Sequence, residues 1–477
     1  MNTLAAPPVG ALRQFSDLPG PRGVPVFGNL LQMDSTRVHQ QVEAWCEEYG
    51  PLFKLTLGKR RLVVVGDHEL INAVLRDRPD GFQRSNRLQD ISREMGMSSG
   101  LFISNGEVWK RQRRMVMAGF DPVHVKRYHP FLQRVAERLV GRWQVAAREG
   151  RRIELQADLM RFTVDAVAGL AFGEDVNTLQ SDEDVIQQHL NRIFPMLFSR
   201  IFKLLPTWRW WPSAEDRALS RSVAEVQVAV QGFIAKARER MAANPALREE
   251  PTNLLEAMIV AADEPGSGID DEQVAGNVLT MLLAGEDTTA NTLAWMIWLL
   301  WTHPEAMARA REEVDRVCAG AALPSLEQLG ALDYLDACAH ETMRLRPVAP
   351  INTLQAVRDT RIADVQIEAG MIVMAVMRRD AISEHHLANA AAFDPDRWLA
   401  DAKQAGAAKR LSMPFGAGPR ICPGRYLALM EIKLAMAALL RHFDIAAVDT
   451  PDGAAPREHL QLSMGPVGLT MRLRPRG

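Results

Sequence analysis

The residues best suited to chemistry form a glycine-rich loop that holds one cysteine. The loop has the sequence FGAGPRICPG over residues 415–424, and its cysteine is Cys422. No second cysteine is close enough in the sequence for a zinc pair or a disulfide, which suits a thiolate taking one axial position on a metal. Apolar residues at helical spacing follow over 425–436, so we expect the sulfur at a helix N-terminus, where the thiolate is favoured. A buried, inert cysteine is the alternative.

A second candidate is the hexapeptide AGEDTT at residues 284–289, inside a long apolar stretch. Gly285 lowers helix propensity by about 1 kcal/mol relative to alanine, and a buried acid needs partners. A ligand lying against the helix would explain both, because small side chains leave room for dioxygen, a hydroxyl bonds it and an acid relays protons. An exposed polar turn of an amphipathic helix explains the hexapeptide equally well.

Two further pairs have spacings that place them on one helix face. Glu341 and Arg344 are three residues apart, and Arg397 could complete a buried charge cluster with them. Trp109 and Arg113 are four apart and offer N–H donors that suit the carboxylates of a haem. Taken singly, an exposed ion pair, a packed tryptophan and a solvent-facing arginine explain these residues more simply.

The composition is that of a large globular chain. It has 477 residues, 47% of them hydrophobic, and a formal net charge of -2. Length alone suggests about three domains, but no Gly/Ser-rich, Pro-rich or single-charge stretch separates candidate units. We therefore expect one domain over residues 1–477, with residues 1–17 as a loose N-terminal segment. The absence of a strongly basic arm or stripe argues against a nucleic-acid-binding protein.

Cysteine usage and the N-terminus indicate the compartment. The four cysteines are far apart without CxxC spacing, which fits a reducing compartment and leaves Cys46, Cys318 and Cys338 as packing residues. The first residues have neither a signal-peptide pattern nor a long apolar span. We expect a soluble, cytoplasmic protein without a transmembrane anchor.

The apolar pattern predicts a mostly α fold with small β-sheets. Helical spacing covers residues 38–49, 122–150, 153–172, 215–241 and 270–302. Short strand-like runs cover residues 52–57, 61–65 and 362–377, the first two forming a hairpin broken by Gly58. Residues 193–212 are aromatic, cationic and interrupted by prolines, and we favour packing or the roof of an apolar pocket over membrane contact.

Together these motifs resemble the cytochrome P-450 haem-thiolate monooxygenases, in the family's order and over nearly the whole chain. The supporting stretches are LPGP at 18–21, WxxxR at 109–113, AGEDTT at 284–289, ExxR at 341–344, FxPxRW at 393–398 and the loop at 415–424. The cysteine loop is the most specific of them. The resemblance implies the cytochrome P-450 fold, with haem sandwiched between a long central helix and the cysteine loop.

The resemblance also implies a role for each motif residue. Cys422 is expected to be the proximal iron ligand of heme b, and Asp287 and Thr288 the proton-delivery pair. Glu341, Arg344 and Arg397 are expected to form a structural triad. The other cofactor-binding residues that it implies are Trp109, Arg113, Arg420, Phe415, Gly416 and Gly424.

The implied activity is insertion of one oxygen atom of O2 into a hydrophobic small molecule, by C–H hydroxylation or epoxidation. Because too few residues follow Cys422 for a flavin or iron-sulfur domain, we expect a separate ferredoxin or flavodoxin with its NAD(P)H reductase. Lys110, Arg111 and Arg114 are candidates for its docking site, although a solvated helix face explains them nearly as well.

The sequence around residues 341–350 and the LPGP entry resemble the fatty-acid-hydroxylase and microsomal-type branch, in a soluble bacterial form. The same similarity suggests substrate-pocket positions at Phe102, Ala284, Ala349, Ile351 and Leu462. An apolar lining predicts a lipid, a terpenoid or a peptide-linked hydrophobic molecule. Each of these residues could instead be ordinary core.

The sequence leaves three alternatives to the monooxygenase. A peroxide-driven peroxygenase on the same fold is disfavoured because such enzymes typically lack the acid-alcohol pair seen at 287–288. A haem protein that senses gas is disfavoured by the same pair. A helical structural protein with a chance cysteine loop would bind no haem.

Overall fold

The computed structural model describes residues 12–120, 122–180, 185–203, 205–399 and 402–476. The fold is mostly helical with small sheets, which confirms the predicted class. The α-helices are α1 Val38–Tyr49, α2 His68–Arg76, α3 Asn86–Glu94, α4 Gly106–Gly119, α5 Pro122–Arg127, α6 His129–Arg148, α7 Leu155–Phe172, α8 Val185–Phe202, α9 Thr207–Trp210, α10 Ala214–Ala243, α11 Ala246–Glu249, α12 Leu254–Asp263, α13 Asp271–Thr302, α14 Pro304–Val317, α15 Leu326–Gly330, α16 Asp333–Leu345, α17 Asp396–Leu399, α18 Ala402–Leu411 and α19 Arg425–His442.

The strands form four small sheets in the described part of the chain. They are β1 Leu52–Leu57, β2 Arg60–Val65, β3 Phe82–Gln83, β4 Ile153–Glu154, β5 Ile351–Ala356, β6 Thr360–Ile362, β7 Val365–Ile367, β8 Ile372–Val376, β9 Phe443–Asp449, β10 Glu458–Leu460, β11 Met464–Pro466 and β12 Thr470–Pro475. The sheet orders are β1-β2-β8-β5-β3, β4-β12-β9, β10-β11 and β6-β7. Strands β1 and β2 form the predicted hairpin, with Leu52 opposite Val65, and β2 pairs in parallel with β8.

Helix α13 is the longest helix and crosses the centre of the molecule. Its 32 residues span about 48 Å at 1.5 Å per residue. The Asp270 side chain caps its first turn by accepting from the Gln273 N–H. Helices α7, α16 and α19 all pack against it. Most of its residues are buried, so several polar residues in the middle of the helix, among them Glu286, Thr289 and Asn291, lie in the protein interior.

Two expectations about the N-terminal half are modified by the structure. The helix predicted over 122–150 divides into α5 and α6, because Pro130 lies in the first turn of α6 and has no N–H to continue a helix. Residues 12–17, expected to be loose, are held by an ion pair between Arg13 Nε and Asp364 Oδ2 at 2.7 Å. Residues 1–11 lie outside the described chain.

No helix of the described ranges is both long enough and apolar enough to cross a membrane.

Candidate active site

The cysteine loop is shaped by a close contact with helix α2. Gly418 has a φ of 70°, and a Cβ there would lie 2.7 Å from the Leu75 carbonyl oxygen and 2.8 Å from Arg76 Cα. Only glycine fits both the left-handed backbone and this approach. The Cys422 N–H donates to the Phe415 carbonyl at 2.9 Å, which closes the loop. The thiol therefore has a fixed position three residues before α19.

Two opposing effects act on the Cys422 thiol. Burial raises its pKa, whereas a hydrogen bond from the Gly424 backbone and the positive charges of Arg113 and Arg425 lower it. Burial has the larger effect, so the pKa of the metal-free thiol is raised, and the expectation that the helix N-terminus alone favours the thiolate was wrong. A cation bound to the sulfur would favour the thiolate.

Four arginines gather beside the cysteine loop, and the described residues supply no carboxylate partner to any of them. Burial lowers the pKa of Arg113. Burial and the neighbouring Arg84 and Arg420 lower the pKa of Arg78 to about 8. Burial lowers the pKa of Arg84 to about 10, and burial with repulsion from Arg84 and Arg113 lowers that of Arg420 to about 9. Such a cluster is unfavourable without a bound anion.

Arg420 also connects the cysteine loop to the turn before α4. Its Nη2 donates to the carbonyl oxygens of Leu101 at 2.9 Å and Ser104 at 3.0 Å, and its Nη1 to Asn105 Oδ1 at 3.2 Å. The guanidinium lies over the Trp109 ring, 4.9 Å from the centroid. The structure thus brings two of the predicted cofactor-binding residues into direct contact.

These residues fit the haem that the resemblance implies. A haem presents two carboxylates at one edge, and the arginines of the cluster have no carboxylate partner among the described residues. Nε and Nη2 of Arg78 and Nε of Arg84 are buried without a hydrogen-bond partner. Cys422 supplies the soft ligand that haem iron accepts.

An acid on α13 is held by a polar network on the other side of the site. Asp287 Oδ2 accepts from the Ser463 hydroxyl at 2.6 Å, and its Oδ1 accepts from Asn291 Nδ2 at 2.8 Å. Gln156 Nε2 donates in turn to Asn291 Oδ1 at 2.8 Å. Burial raises the pKa of Asp287, while the hydrogen bonds from Ser463 and Asn291 lower it. The acid is thus held in one position.

Thr288 and Gly285 occupy different sides of the same helix. The Thr288 side chain lines the central cavity and donates to the Ala284 carbonyl at 2.9 Å. Gly285 instead faces α7, where a Cβ would lie 2.4 Å from Val167 Cγ2. The suggestion that Gly285 is small to make room for a ligand was therefore wrong. Helix packing requires the glycine, and Ala284 is the small residue at the cavity.

The central cavity has a volume of about 350 Å³ and a largely apolar lining. All five residues suggested for the substrate pocket lie on its wall: Phe102, Ala284, Ala349, Ile351 and Leu462. The structure brings them together from four separate parts of the chain. Their contact with a substrate stays a prediction.

Three arginines also line this cavity: Arg84 of the cluster described above, and Arg60 and Arg87. Burial lowers the pKa of Arg60, and burial with repulsion from Arg60 lowers that of Arg87 to about 10. Arg87 donates to the carbonyl oxygens of Arg200 at 2.8 Å and Ile201 at 2.6 Å. Neither Arg60 nor Arg87 has an ion pair within the described residues, so the cavity carries a positive charge that its apolar lining does not neutralise.

The aromatic segment at 193–212 divides into two parts. In α8, Leu197, Phe198 and Ile201 line the cavity. This agrees with the interpretation of the segment as the roof of an apolar pocket. Trp210 and Trp211 are 57% and 77% exposed and lie outside it.

The predicted charge cluster is buried next to the cysteine side of the fold. Arg344 donates to both oxygens of Glu341, at 2.8 and 2.7 Å, and Arg397 Nε donates to Oε1 at 2.9 Å. The Trp398 indole N–H also donates to Glu341, at 2.8 Å. Both arginines donate further to carbonyl oxygens of residues 381–392. The cluster therefore fixes an irregular stretch of chain, and the reading of Glu341 and Arg344 as an exposed pair was wrong.

The proposed docking cations differ in their surroundings. Lys110 forms ion pairs with Glu107 at 2.8 Å and Asp80 at 3.8 Å, so much of its charge is already compensated. Arg111 is half-buried, and Arg114 is exposed.

Sequence reasoning missed four residues of the site. Asn291 is four residues after Asp287 and shares its helix face, so the spacing held a signal. Ser463 follows the predicted pocket residue Leu462 directly. Arg78 and Arg84 belong to no motif, and only the tertiary fold places them beside Arg420.

Comparisons with known proteins agree on one family. The family model described as Cytochrome P450 matches residues 18–471. The cytochrome P450 cyp-13B1 of Caenorhabditis elegans is 29% identical over 96% of this chain and 94% of its own length. The self-sufficient cytochrome P450 monooxygenase CYP505AG1 of Oidiodendron maius is 29% identical over 91% of this chain and 40% of its own length. The crystal structure of the cytochrome P450DA heme domain has a TM-score of 0.84 at 25% identity, covering 98% of this chain and 99% of that one.

Proposed function

Because the chain belongs to the cytochrome P450 family and is a haem-dependent monooxygenase, we propose that Cys422 would hold its heme b as a thiolate ligand of the iron. When bound, the haem supplies the activation of O2, from which one oxygen atom enters a hydrophobic substrate. The observation that carries the assignment is the cluster of four arginines without carboxylate partners beside the Cys422 loop, of which Arg78 is buried and the other three are half-buried. Gly416 and Gly424 shape that loop, and Phe415 closes it.

The haem carboxylates are assigned to one edge of the site. Trp109, Arg113 and Arg420 donate to them, and Arg78 and Arg84 add the remaining positive charge. The pKa lowering of these arginines by burial and mutual repulsion supports the assignment, because two carboxylates would relieve the repulsion.

Substitution of Cys422 tests this assignment. Cys422→Ser should abolish the red-shifted Soret band of the reduced, CO-bound protein. Cys338→Ser is the matched control, since Cys338 is a fully buried thiol that packs in the core, and it should keep the band. A band of the histidine-ligated type in the wild-type protein would contradict the assignment.

Proton delivery is assigned to Asp287 and Thr288. The Asp287 carboxylate is held by Ser463 and Asn291, and Thr288 lines the cavity one residue later. With haem and dioxygen bound, the acid would supply protons from the buried network, and the hydroxyl at the cavity wall would pass them on. Turnover with peroxide, combined with no turnover with any reductase, would favour the peroxygenase alternative.

The substrate is proposed to be an apolar molecule with one anionic end. The apolar wall of the cavity supports the apolar part, and the two arginines without ion pairs support the anion. A carboxylate reaching Arg60 and Arg87 would gain hydrogen bonds between charged groups, each worth about 1.5–3 kcal/mol.

Binding of a long-chain carboxylic acid and its methyl ester tests this substrate class, with the spin-state shift of the haem as the readout. Arg60→Gln should weaken acid binding about tenfold and leave ester binding unchanged. Arg61→Gln is the control, because the exposed Arg61 pairs with Glu368, and it should change neither. Equal losses for acid and ester in Arg60→Gln would exclude an anion site.

The reaction requires a redox partner, which we propose is a separate ferredoxin or flavodoxin with its NAD(P)H reductase. The exposed Arg114, on the same helix as Trp109, supports docking on the cysteine side. We propose one haem domain over residues 1–477, and a cytoplasmic location that the four free cysteines support. Membership of the bacterial fatty-acid-hydroxylase type stays a prediction of the sequence at 341–350.

A further inference from the structure

Three side chains with metal-binding atoms converge away from the cavity, where α2 begins. His68 Nδ1 lies 2.9 Å from Asp380 Oδ2, and His386 Nε2 lies 3.5 Å from the same oxygen. One ligand atom from each of the three lies within 4.8 Å of the other two. No other such group of three occurs in the described ranges of the chain. None of these residues belongs to the proposed active site.

These distances match the spacing of ligands around a tetrahedral metal. Zinc binds histidine nitrogen and carboxylate oxygen at about 2.0–2.2 Å, which places neighbouring ligand atoms about 3.4 Å apart. The two measured separations, 2.9 and 3.5 Å, lie on either side of that value. Two imidazoles and one carboxylate suit zinc, copper or nickel better than magnesium or calcium.

The surroundings of Asp380 hold it in place for binding. Arg379 Nη1 donates to Asp380 Oδ1 at 2.8 Å, and the backbone N–H of His68 donates to Oδ2 at 2.8 Å. The Asp380 side chain is 3% exposed, whereas that of His386 is 33% exposed. The buried ligand is therefore fixed from behind, and the exposed side leaves an entry path and room for a water molecule as fourth ligand.

We propose that His68, Asp380 and His386 bind one divalent transition-metal ion of the zinc type. The ion replaces the proton that His68 Nδ1 shares with Asp380 in the metal-free hydrogen bond. This site is independent of the proposed haem and substrate assignments.

The position of the site gives the ion a structural effect. The far end of α2 contacts Gly418 in the cysteine loop. The segment that follows Asp380 supplies Ala381, whose carbonyl oxygen accepts from Arg344 in the buried cluster. A bound ion connects α2 with the segment around Asp380. It stabilises the folded protein because it binds the folded chain in preference to the unfolded chain.

Zinc titration of the haem-loaded, untagged protein tests the proposal, with a competing chelating dye as the readout. Wild-type protein should bind one equivalent, and His386→Gln should weaken that binding at least tenfold. His385→Gln is the matched control, because His385 is the exposed neighbour outside the cluster, and it should bind like the wild type. The CO-bound spectrum should be the same in all three proteins, which shows that each is folded.

A crystal grown with zinc should show an anomalous peak at the zinc edge between His68, Asp380 and His386. The proposal is overturned if no saturable binding is found, or if His386→Gln and His385→Gln bind zinc equally.

Discussion

At the scale of single residues, the proposed proton delivery depends on where α13 places an acid and a hydroxyl. Asp287 is held by Ser463 and Asn291, whereas Thr288 bonds a carbonyl of its own helix and lines the cavity. The two side chains are consecutive and yet have separate partners. Each can therefore be changed without removing the partner of the other.

Thr288→Ala should uncouple electron use from product formation. Without the hydroxyl, the proton supply at the O2 site is impaired, so we expect NAD(P)H consumption to continue while product falls several-fold and hydrogen peroxide accumulates. Measuring product, peroxide and NAD(P)H in one reaction checks this. Thr302→Ala is the control, since Thr302 makes the same type of bond to Trp298 at 3.0 Å outside the cavity. Unchanged coupling in Thr288→Ala would rule out its assigned role.

Glu431 is a second acid whose pKa is changed by its environment. Burial raises its pKa to about 8, although Thr289 donates a hydrogen bond to it. An unfolded glutamate ionises near pH 4.3, so the folded state is penalised increasingly as the pH rises from about 4.3 to about 8. Glu431→Gln should match the wild type in stability near pH 4.5 and exceed it at pH 8.

Urea unfolding of Glu431→Gln across that pH range measures the difference. The exposed Glu239 in α10 offers the matched substitution Glu239→Gln, for which no divergence with pH is expected. A constant stability difference for Glu431→Gln at every pH would contradict an uncharged Glu431.

How far the sequence predicts such residues depends on how local their partners are. The shared helix face of Glu341 and Arg344 could be predicted because both residues lie on α16. The cysteine loop could be predicted because its residues are consecutive in the sequence. The proximity of Arg78 and Arg420 could not be predicted from the sequence, because it depends on α2 packing against the loop. Sequence periodicity reports which face of a helix is buried but not what covers it.

At the scale of elements, the close packing of α7 on α13 positions the part of α13 that carries Asp287 and Thr288. Gly285 permits this approach, because a Cβ there would overlap Val167. Helix α1 and the β1–β2 hairpin were predicted correctly from local patterns. The sheet of β4, β12 and β9 was not predicted, because its strands are short and their partners are far apart in the chain.

Gly285→Ala should destabilise the protein by about 1–3 kcal/mol, the usual effect of overpacking. The double variant Val167→Ala/Gly285→Ala should recover most of that loss, because the smaller residue 167 makes room for the new methyl group. Gly232→Ala is the control, since nothing lies within 4 Å of its Cβ position in α10. It should stabilise the helix by about 0.5–1 kcal/mol. These values come from urea unfolding of the haem-loaded variants, and an additive double variant would show that the two residues do not collide.

At the scale of the whole molecule, one carboxylate joins segments from the N-terminal, middle and C-terminal parts of the chain. Glu458 in β10 accepts from His39 Nε2 at 2.8 Å and from Arg378 Nη1 at 2.6 Å. Arg378 also pairs with Glu43 of α1 at 2.7 Å. Burial alone would raise the pKa of Glu458, but the hydrogen bonds and charges of His39 and Arg378 hold it well below the usual range.

The low pKa of Glu458 predicts acid sensitivity. A group whose pKa is lowered by folding stabilises the protein above its unfolded pKa, and this contribution disappears as the pH falls below about 4.3. Glu458→Gln should lose about 3 kcal/mol at pH 7 and less as the pH falls. Stability measured from pH 7 down to about pH 2 checks the convergence. The exposed Glu239 of α10 provides the control Glu239→Gln, for which no change with pH is expected. A loss independent of pH would contradict an ionised Glu458.

The hairpin of β10 and β11 also determines when the cavity is completed during protein synthesis. Ser463 lies between these two strands and bonds an acid that precedes it by 176 residues, and Leu462 beside it forms part of the cavity wall. On the ribosome, Asp287 emerges long before its hydroxyl partner is translated. A nascent chain stalled before this hairpin therefore contains the complete cysteine loop, but its cavity is open and its acid lacks the hydroxyl partner, so the finished binding site forms only near the end of translation.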